Sequence, residues 1–362
     1  MIKFPRFRLA DLLKREANNL DLIRLICSCM VIFGHAFFLV DDPHYPFETW
    51  DPVSRYLGYQ GVYISSLAVK VFFFISGLLI TDSLLSKKSV TAFLLARFFR
   101  VWPALIALLL ITVFGLGPMY TNLKPAEYFT HRDTYRYLWE NLLMIADPTL
   151  PGVFVNNPLP NQVNGSIWTL AYEIAAYLGI LVLYVLKITR SRLICSVIVL
   201  LLLVDPLLSH SLLFPWMPVN PQINYLPPCF ALGAWLVLFK DRITIGASVV
   251  AGMAILFLFG KSTILGPYLF FLTLFVSILY LSALPFVRKI KIPADLSYGT
   301  FLWGFLIQQI MAANFARRGL IFNLGWSLLL ALIMGFLSWH LVEKRAIAAG
   351  HRYAKIRPPR GQ

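Results

Sequence analysis

The sequence predicts an all-α, polytopic membrane protein of about ten transmembrane helices with both termini in the cytoplasm. Of its 362 residues, 59% are hydrophobic and only 14% are charged, whereas soluble domains carry about 25% charged residues. Apolar runs of nearly 20 residues, the length that crosses a bilayer, recur along the chain. The basic residues gather between these runs and in the terminal segments, as they do in cytoplasmic loops.

Ten apolar runs read as spanning helices, although Glu173 interrupts the fourth and the sixth is short. An even number of spans places both termini on one side of the membrane. The chain then divides into an N-terminal segment (1–20), a transmembrane domain (21–345) and a basic tail (346–362). The predicted spans are 21–40, 68–85, 101–118, 166–186, 192–208, 225–239, 243–260, 267–286, 297–315 and 323–342.

The distribution of Lys and Arg orients these spans. Twenty-four of the 32 basic residues fall on the side of the termini. This threefold excess predicts cytoplasmic termini. The loops on the other side, 41–67, 119–165 and 209–224, are long enough to close over a ligand. The eight basic residues on that side are Arg55, Lys70, Lys124, Arg132, Arg136, Lys261, Arg317 and Arg318.

The formal charge of +15 does not indicate nucleic-acid binding. The basic residues stand in short loops and tails, and no basic patch is interleaved with aromatic residues that could stack on bases. No histidine has neighbours at metal-ligand spacing, so we expect no metal.

The first predicted helix carries two ionisable residues, Arg24 and His35. They are eleven residues apart, so both project from nearly the same helix face, about 16 Å apart along the axis. Ionisable groups inside a membrane are costly and are by default candidates for function. Arg24, near the cytoplasmic end, is expected to bind an anion; the alternative is an arginine that snorkels to the interface.

Glu173 is the expected partner of His35. Counted from the outer ends of their predicted helices, the two residues share a depth. A carboxylate that orients an imidazole and stabilises its protonated form makes a general base. The alternative is a structural polar pair between two helices.

A second basic cluster precedes the predicted third helix. Arg97 and Arg100 are three residues apart and share a helix face. At a helix N-terminus on the cytoplasmic side, they would form a phosphate site. The alternative is that they are ordinary orientation-setting residues.

Taken in order, these elements resemble the membrane acyltransferase-3 family, from about residue 19 to residue 345. Two positions depart from the family pattern: Thr169 replaces a Ser, and Gly304 stands where family members often have His. The elements that carry the likeness are Arg24 with His35, Phe72–Gly77 (FFFISG), Arg97 with Arg100, Trp102–Pro103, Trp168–Glu173 (WTLAYE), Leu296–Trp303 (LSYGTFLW) and Leu341–Arg345 (LVEKR).

The resemblance implies a multi-pass protein of a bacterial inner (plasma) membrane that transfers an acyl group, most often acetyl. The donor would be cytoplasmic acetyl-CoA or another acyl-CoA, and the acceptor a hydroxyl of an extracytoplasmic or lipid-linked glycan. His35 and Glu173 would be catalytic, and Arg24, Arg97 and Arg100 would hold the CoA phosphates. The rival hypothesis is a transporter or flippase for a small anion or a lipid-linked sugar. It predicts internal repeats, and the sequence shows none.

Overall fold

The chain folds into a bundle of apolar helices. The structure, a computed structural model, describes residues 5–40, 42–208, 213, 221–292 and 294–356. Among these residues the helices of at least ten residues are α1 Leu20–Leu39, α2 Ile64–Lys87, α3 Val90–Ile111, α4 Arg132–Leu142, α5 Trp168–Val185, α6 Arg192–Val204, α7 Leu226–Leu238, α8 Ala247–Gly260, α9 Gly266–Ala283, α10 Ser297–Phe315, α11 Gly319–Ser338 and α12 Lys344–Ile356.

Short elements complete the described part of the chain. Two strands, β1 Arg6–Arg8 and β2 Thr244–Gly246, pair in antiparallel register. A π-helical segment, Thr112–Leu116, extends α3, and a second one, Trp339–Glu343, joins α11 to α12. The short α-helices are Leu9–Leu12, Phe47–Trp50, Pro52–Leu57, Gly117–Tyr120, Pro125–Thr130, Pro221–Asn224 and Pro285–Lys289.

A helix lies at each of the ten predicted positions, but some boundaries differ. The segment α3 begins at Val90, eleven residues before the predicted start, and α2 begins at Ile64. Sequence analysis missed α4, in the predicted loop 119–165, and α12, in the predicted tail. The predicted loop 209–224 and the last six residues of the tail lie largely outside the described residues.

Six segments of the described chain are long and apolar enough to cross a membrane. The last of them contains both α10 and α11. The total of ten spans and the cytoplasmic orientation stay predictions. The six segments are Leu20–Leu39, Ile64–Lys87, Val90–Tyr120, Trp168–Val185, Gly266–Ala283 and Ser297–Ala354.

Contacts between loops define one end of the bundle, which we call the terminal end. There β1 pairs with β2, so the N-terminal segment joins the loop between α7 and α8. The Asn19 amide, at the start of α1, donates to the Ser282 carbonyl at the end of α9 (2.9 Å). Lys240, after α7, pairs with Asp82 near the end of α2. The starts of α1, α3 and α8 therefore meet the ends of α2, α7 and α9.

The opposite end gathers the other helix ends. Asp42, after α1, accepts the Leu320 amide at the start of α11 (3.0 Å). The Tyr59 hydroxyl, before α2, donates to the Lys261 carbonyl after α8 (2.6 Å). The helices α1 and α8 thus run from the terminal end to the opposite end, and α2 runs the other way. A residue's place along these helices indicates which end it is near.

The central helix is α2, and its tightest neighbour is α7. In α2, 78% of the most apolar 18-residue window is buried inside the protein, against 44% or less in the other five segments. A Cβ on Gly77 would lie 2.1 Å from the Phe230 carbonyl oxygen, and one on Gly233 would lie 2.2 Å from the Phe74 carbonyl oxygen. Two glycines therefore let the backbones touch, as small residues do between membrane helices.

Gly77→Ala is expected to destabilise the bundle by about 1–3 kcal/mol, because the new methyl group would have to displace the α7 backbone. The matched control is Gly252→Ala in α8, where no atom lies within 4 Å of an added Cβ. Thermal unfolding of both purified variants in detergent measures the difference. Equal midpoints for the two variants would contradict this packing.

Candidate functional site

A cavity of about 450 Å³ lies between α1, α2, α3, α5 and α10, towards the terminal end. This volume is in the range of small-molecule sites. Exposed residues of the terminal end, Arg15, Lys87 and His351, form its outer lining, so the cavity reaches the surface there. Four of the five predicted site residues line it: Arg24, Arg97, Arg100 and Glu173.

Arg100 is neutralised by two carboxylates. Its Nη2 lies 2.8 Å from Asp295 Oδ2, and its Nη1 donates to Glu343 Oε2 at 2.9 Å. Arg24 Nη1 lies 3.4 Å from the same Asp295 and 3.7 Å from Asp21. Burial opposes ionisation of Asp295, but the charges of Arg100 and Arg24 outweigh it and hold the pKa of this carboxyl below its usual value. The charges of Arg100 and Arg24 are therefore compensated within the protein.

Arg97 differs from both, since it forms no ion pair with any described residue. Its guanidinium lies 5.9 Å from the Tyr177 ring centroid, and its buried Nε has no hydrogen-bond partner among the described residues. Because α3 begins at Val90, Arg97 lies inside the helix. The expectation that Arg97 and Arg100 stand at a helix N-terminus is therefore wrong. The helix begins before them and continues through Pro103, because membrane helices tolerate an internal proline.

Glu173 binds groups other than His35. Its Oε1 accepts hydrogen bonds from Ser76 (3.3 Å) and from the Tyr177 hydroxyl one turn along α5. Thr169, one turn before Glu173 in α5, lines the cavity that holds His35, whereas Glu173 lines the larger cavity. Counting residues from helix ends failed here because the ends of packed helices need not be level.

His35 lines a second, smaller cavity of about 40 Å³, nearer the opposite end. Its ring packs edge-on against Phe305, with 5.3 Å between centroids. Its buried Nδ1 has no hydrogen-bond partner among the described residues. The two cavities share three wall residues: Val69, Thr169 and Phe301. Arg24 and His35 thus lie in adjoining spaces separated by a thin partition.

Sequence analysis missed several residues of the site. Asp295 and Glu343 are the counterions of Arg100, and both stand inside or beside motifs already singled out, Leu296–Trp303 and Leu341–Arg345. Lys70, which was predicted to lie on the outer side at the start of the second span, is fully buried within α2. An acidic residue inside or next to a motif was the available signal for the first two. The sequence could not show that Arg100 pairs with carboxylates more than 190 residues away along the chain.

The departure at Gly304 has a steric explanation. A Cβ at this position of α10 would lie 2.6 Å from Ile32 Cγ1 of α1. The helices cross too closely there for a histidine, so no second imidazole stands at this point. Among the described residues, no group of three His, Cys, Asp or Glu could hold a metal ion.

Arg100→Gln is expected to lower the free energy of unfolding by about 3–5 kcal/mol, because it leaves the buried Glu343 without its counterion and Asp295 with Arg24 alone. Arg97→Gln breaks no ion pair among the described residues and serves as the control. Thermal unfolding in detergent compares them. If both variants lost the same stability, Arg100 would not be the structural member of the pair.

Comparison with known proteins agrees with this geometry. Residues 17–342 match the acyltransferase domain that defines the acyltransferase 3 family. The chain is 25% identical to an O-acetyl transferase of Shigella phage Sf6 over 342 residues, 91% of this chain and 96% of the relative. It is 30% identical to nodulation protein 10 of Rhizobium leguminosarum bv. viciae over 168 residues, 44% of this chain and 42% of that protein. No solved structure matches the chain significantly.

The family match covers nearly all of the helical bundle, including every predicted site residue, the lining of the His35 cavity and most of the lining of the larger cavity. A multi-pass membrane architecture and an acyltransferase domain are therefore properties of the same segment. The chain belongs to the acyltransferase 3 family and is a membrane acyltransferase.

Proposed function

We propose that the protein is an O-acyltransferase that moves an acyl group, most simply acetyl, from acyl-CoA to a hydroxyl of an extracytoplasmic or lipid-linked glycan. One observation carries the proposal. A cavity that holds an arginine without an ion-pair partner among the described residues adjoins a second cavity that holds a buried histidine. The O-acetyl transferase of phage Sf6 supports acetyl as the group transferred.

The donor enters at the terminal end, which on the basic-residue count faces the cytoplasm of a bacterial inner membrane. The phosphates of CoA are bound by Arg97 together with the exposed cations at the mouth, Arg15 and Lys87. Charge-assisted hydrogen bonds from guanidinium groups suit phosphate. Arg24 and Arg100 belong to the same wall, but their charges are directed at carboxylates, so they shape the site more than they bind phosphate.

The thioester reaches the partition of Val69, Thr169 and Phe301, and rotation of Phe301 joins the two spaces. His35 accepts the proton of the acceptor hydroxyl while the hydroxyl oxygen attacks the thioester carbonyl carbon. The carbon–sulfur bond breaks, and the CoA thiolate leaves with the proton returned from His35. Glu173 lines the larger cavity, which the donor occupies, and accepts hydrogen bonds from Ser76 and Tyr177.

His35→Ala is expected to lower kcat by at least about 100-fold, the usual contribution of a general base. The exposed His44 provides the control variant, His44→Ala. The measurement is release of free CoA by protein in liposomes given acetyl-CoA and a glycan acceptor. A carrier would release no CoA, and full activity of His35→Ala would reject the assignment of the base.

Arg97→Gln is expected to raise KM for acetyl-CoA by about 10–100-fold, the value of one charged hydrogen bond. Its KM for acetyl-pantetheine, which lacks the nucleotide phosphates, should stay near that of the wild type. Steady-state kinetics with both donors measures this. An equal loss with both donors would show that Arg97 does not bind phosphate.

A further inference from the structure

Lys70 is a buried cation that the proposed reaction has not yet used. It lies in α2 with 0% of its surface exposed. None of the described carboxylates comes within ion-pair distance of its Nζ. Its electrostatic surroundings are the Tyr225 ring, 6.0 Å away, and the thiol of Cys229. Burying a charge without a counterion is unfavourable, so a lysine retained at such a position is a candidate for function.

The hydrogen bonds of Lys70 do not themselves require a charge. Nζ donates to the Gly61 carbonyl at 3.1 Å and to Ser66 Oγ at 2.5 Å. Ser66 Oγ also donates to the Gly61 carbonyl, at 2.5 Å. The Gly61 carbonyl thus accepts hydrogen bonds from two donors, Ser66 and Lys70. A neutral donor in place of the lysine would cost less free energy of desolvation on burial. The positive charge therefore needs a reason beyond local hydrogen bonding.

Ser66 connects Lys70 to the His35 cavity. Its side chain lines that cavity, whereas Lys70 stands behind it. Because Lys70 already donates to Gly61, the Ser66 hydroxyl can turn into the cavity without leaving the carbonyl unpaired. Lys70 continues to donate to Ser66 Oγ, which makes that hydroxyl a stronger donor.

We propose that Lys70 is a positioning residue for acyl transfer: acting through the Ser66 hydroxyl, it directs positive charge at the thioester carbonyl oxygen in the His35 cavity. This inference rests on the proposed function. As the acceptor oxygen bonds to the carbonyl carbon and its proton passes to His35, the carbonyl oxygen becomes an oxyanion. Ser66 donates to it until the carbon–sulfur bond breaks and the CoA thiolate leaves. Preorganised donors of this kind act mainly on the transition state.

In this arrangement the buried charge of Lys70 would stabilise the oxyanion. In water the oxyanion would be solvated, but the cavity of about 40 Å³ has room for only a few small groups. A fixed cation one hydrogen bond away replaces that hydration in a low-dielectric region, where its field is strong.

Lys70→Met tests the proposal, since it keeps the length of the side chain and removes the charge. We expect kcat to fall by about 100-fold with KM for acetyl-CoA unchanged, and Lys70→Arg to restore part of the rate. Ser66→Ala should give a similar loss. The control is Lys261→Met, an exposed lysine at the opposite end.

The double variant Lys70→Met/Ser66→Ala is the decisive measurement. If Lys70 acts through Ser66, the double variant should be no slower than the slower single variant. Multiplied losses, a change in KM alone, or wild-type kcat in Lys70→Met would overturn the proposal. If Lys70→Met does not fold, the kcat of Ser66→Ala decides, and an unchanged kcat overturns the proposal.

The same experiment separates this inference from the proposed function. A wild-type protein that releases no CoA from acetyl-CoA overturns both. A wild-type protein that transfers acetyl, loses activity in His35→Ala and keeps it in Lys70→Met overturns only the role of Lys70.

Discussion

The ion-pair cluster around Arg100 fixes the geometry on which the larger cavity depends. One guanidinium joins α3 to Asp295 in the loop before α10 and to Glu343 after α11, and Arg24 of α1 shares the first carboxylate. These segments are far apart in the chain. Because each charge would be costly to bury alone, the set is stable only when all members are in place. The terminal-end walls of the cavity are therefore held in register by electrostatics.

Ion pairing divides the cations around the two cavities into two groups. Arg24 and Arg100 are matched by carboxylates, while Arg97 and Lys70 have no ion-pair partner among the described residues. Arg97 faces the space that opens to the terminal end, and Lys70 stands behind the wall of the inner space. Each unpaired cation is placed where the proposed reaction presents an anion: a phosphate first, then an oxyanion.

Close backbone contact makes this placement possible. Gly77 and Gly233 bring α2 and α7 together, and Gly304 brings α10 against α1. With α2 enclosed at the centre, its side chains serve both cavities: Ser76 contacts Glu173 at one level, and Ser66 lines the His35 cavity at another. A bulkier residue at any of these glycines would shift α1 or α2 and, with it, the distance between the two cavities.

The sequence by itself determined the membrane class, helices at all ten predicted positions, the acyltransferase family and five of the residues that line the two cavities. Apolar runs, basic loops and short motifs are local signals, so they can be recognised without knowledge of how the helices pack. The arrangement of α1, with Arg24 and His35 on one uninterrupted helix, was readable for the same reason.

Only the tertiary structure decided which of those residues lie together. It bonded Glu173 to Ser76 and Tyr177, paired Arg100 with Asp295 and Glu343, left Arg97 without an ion-pair partner among the described residues, and buried Lys70 beside Ser66. Each of these outcomes depends on how far the ends of packed helices are offset from one another and on contacts between segments distant in the chain. A sequence pattern shows neither the offset nor the contacts, because the charge that neutralises a buried group is the one that lies nearest to it in space.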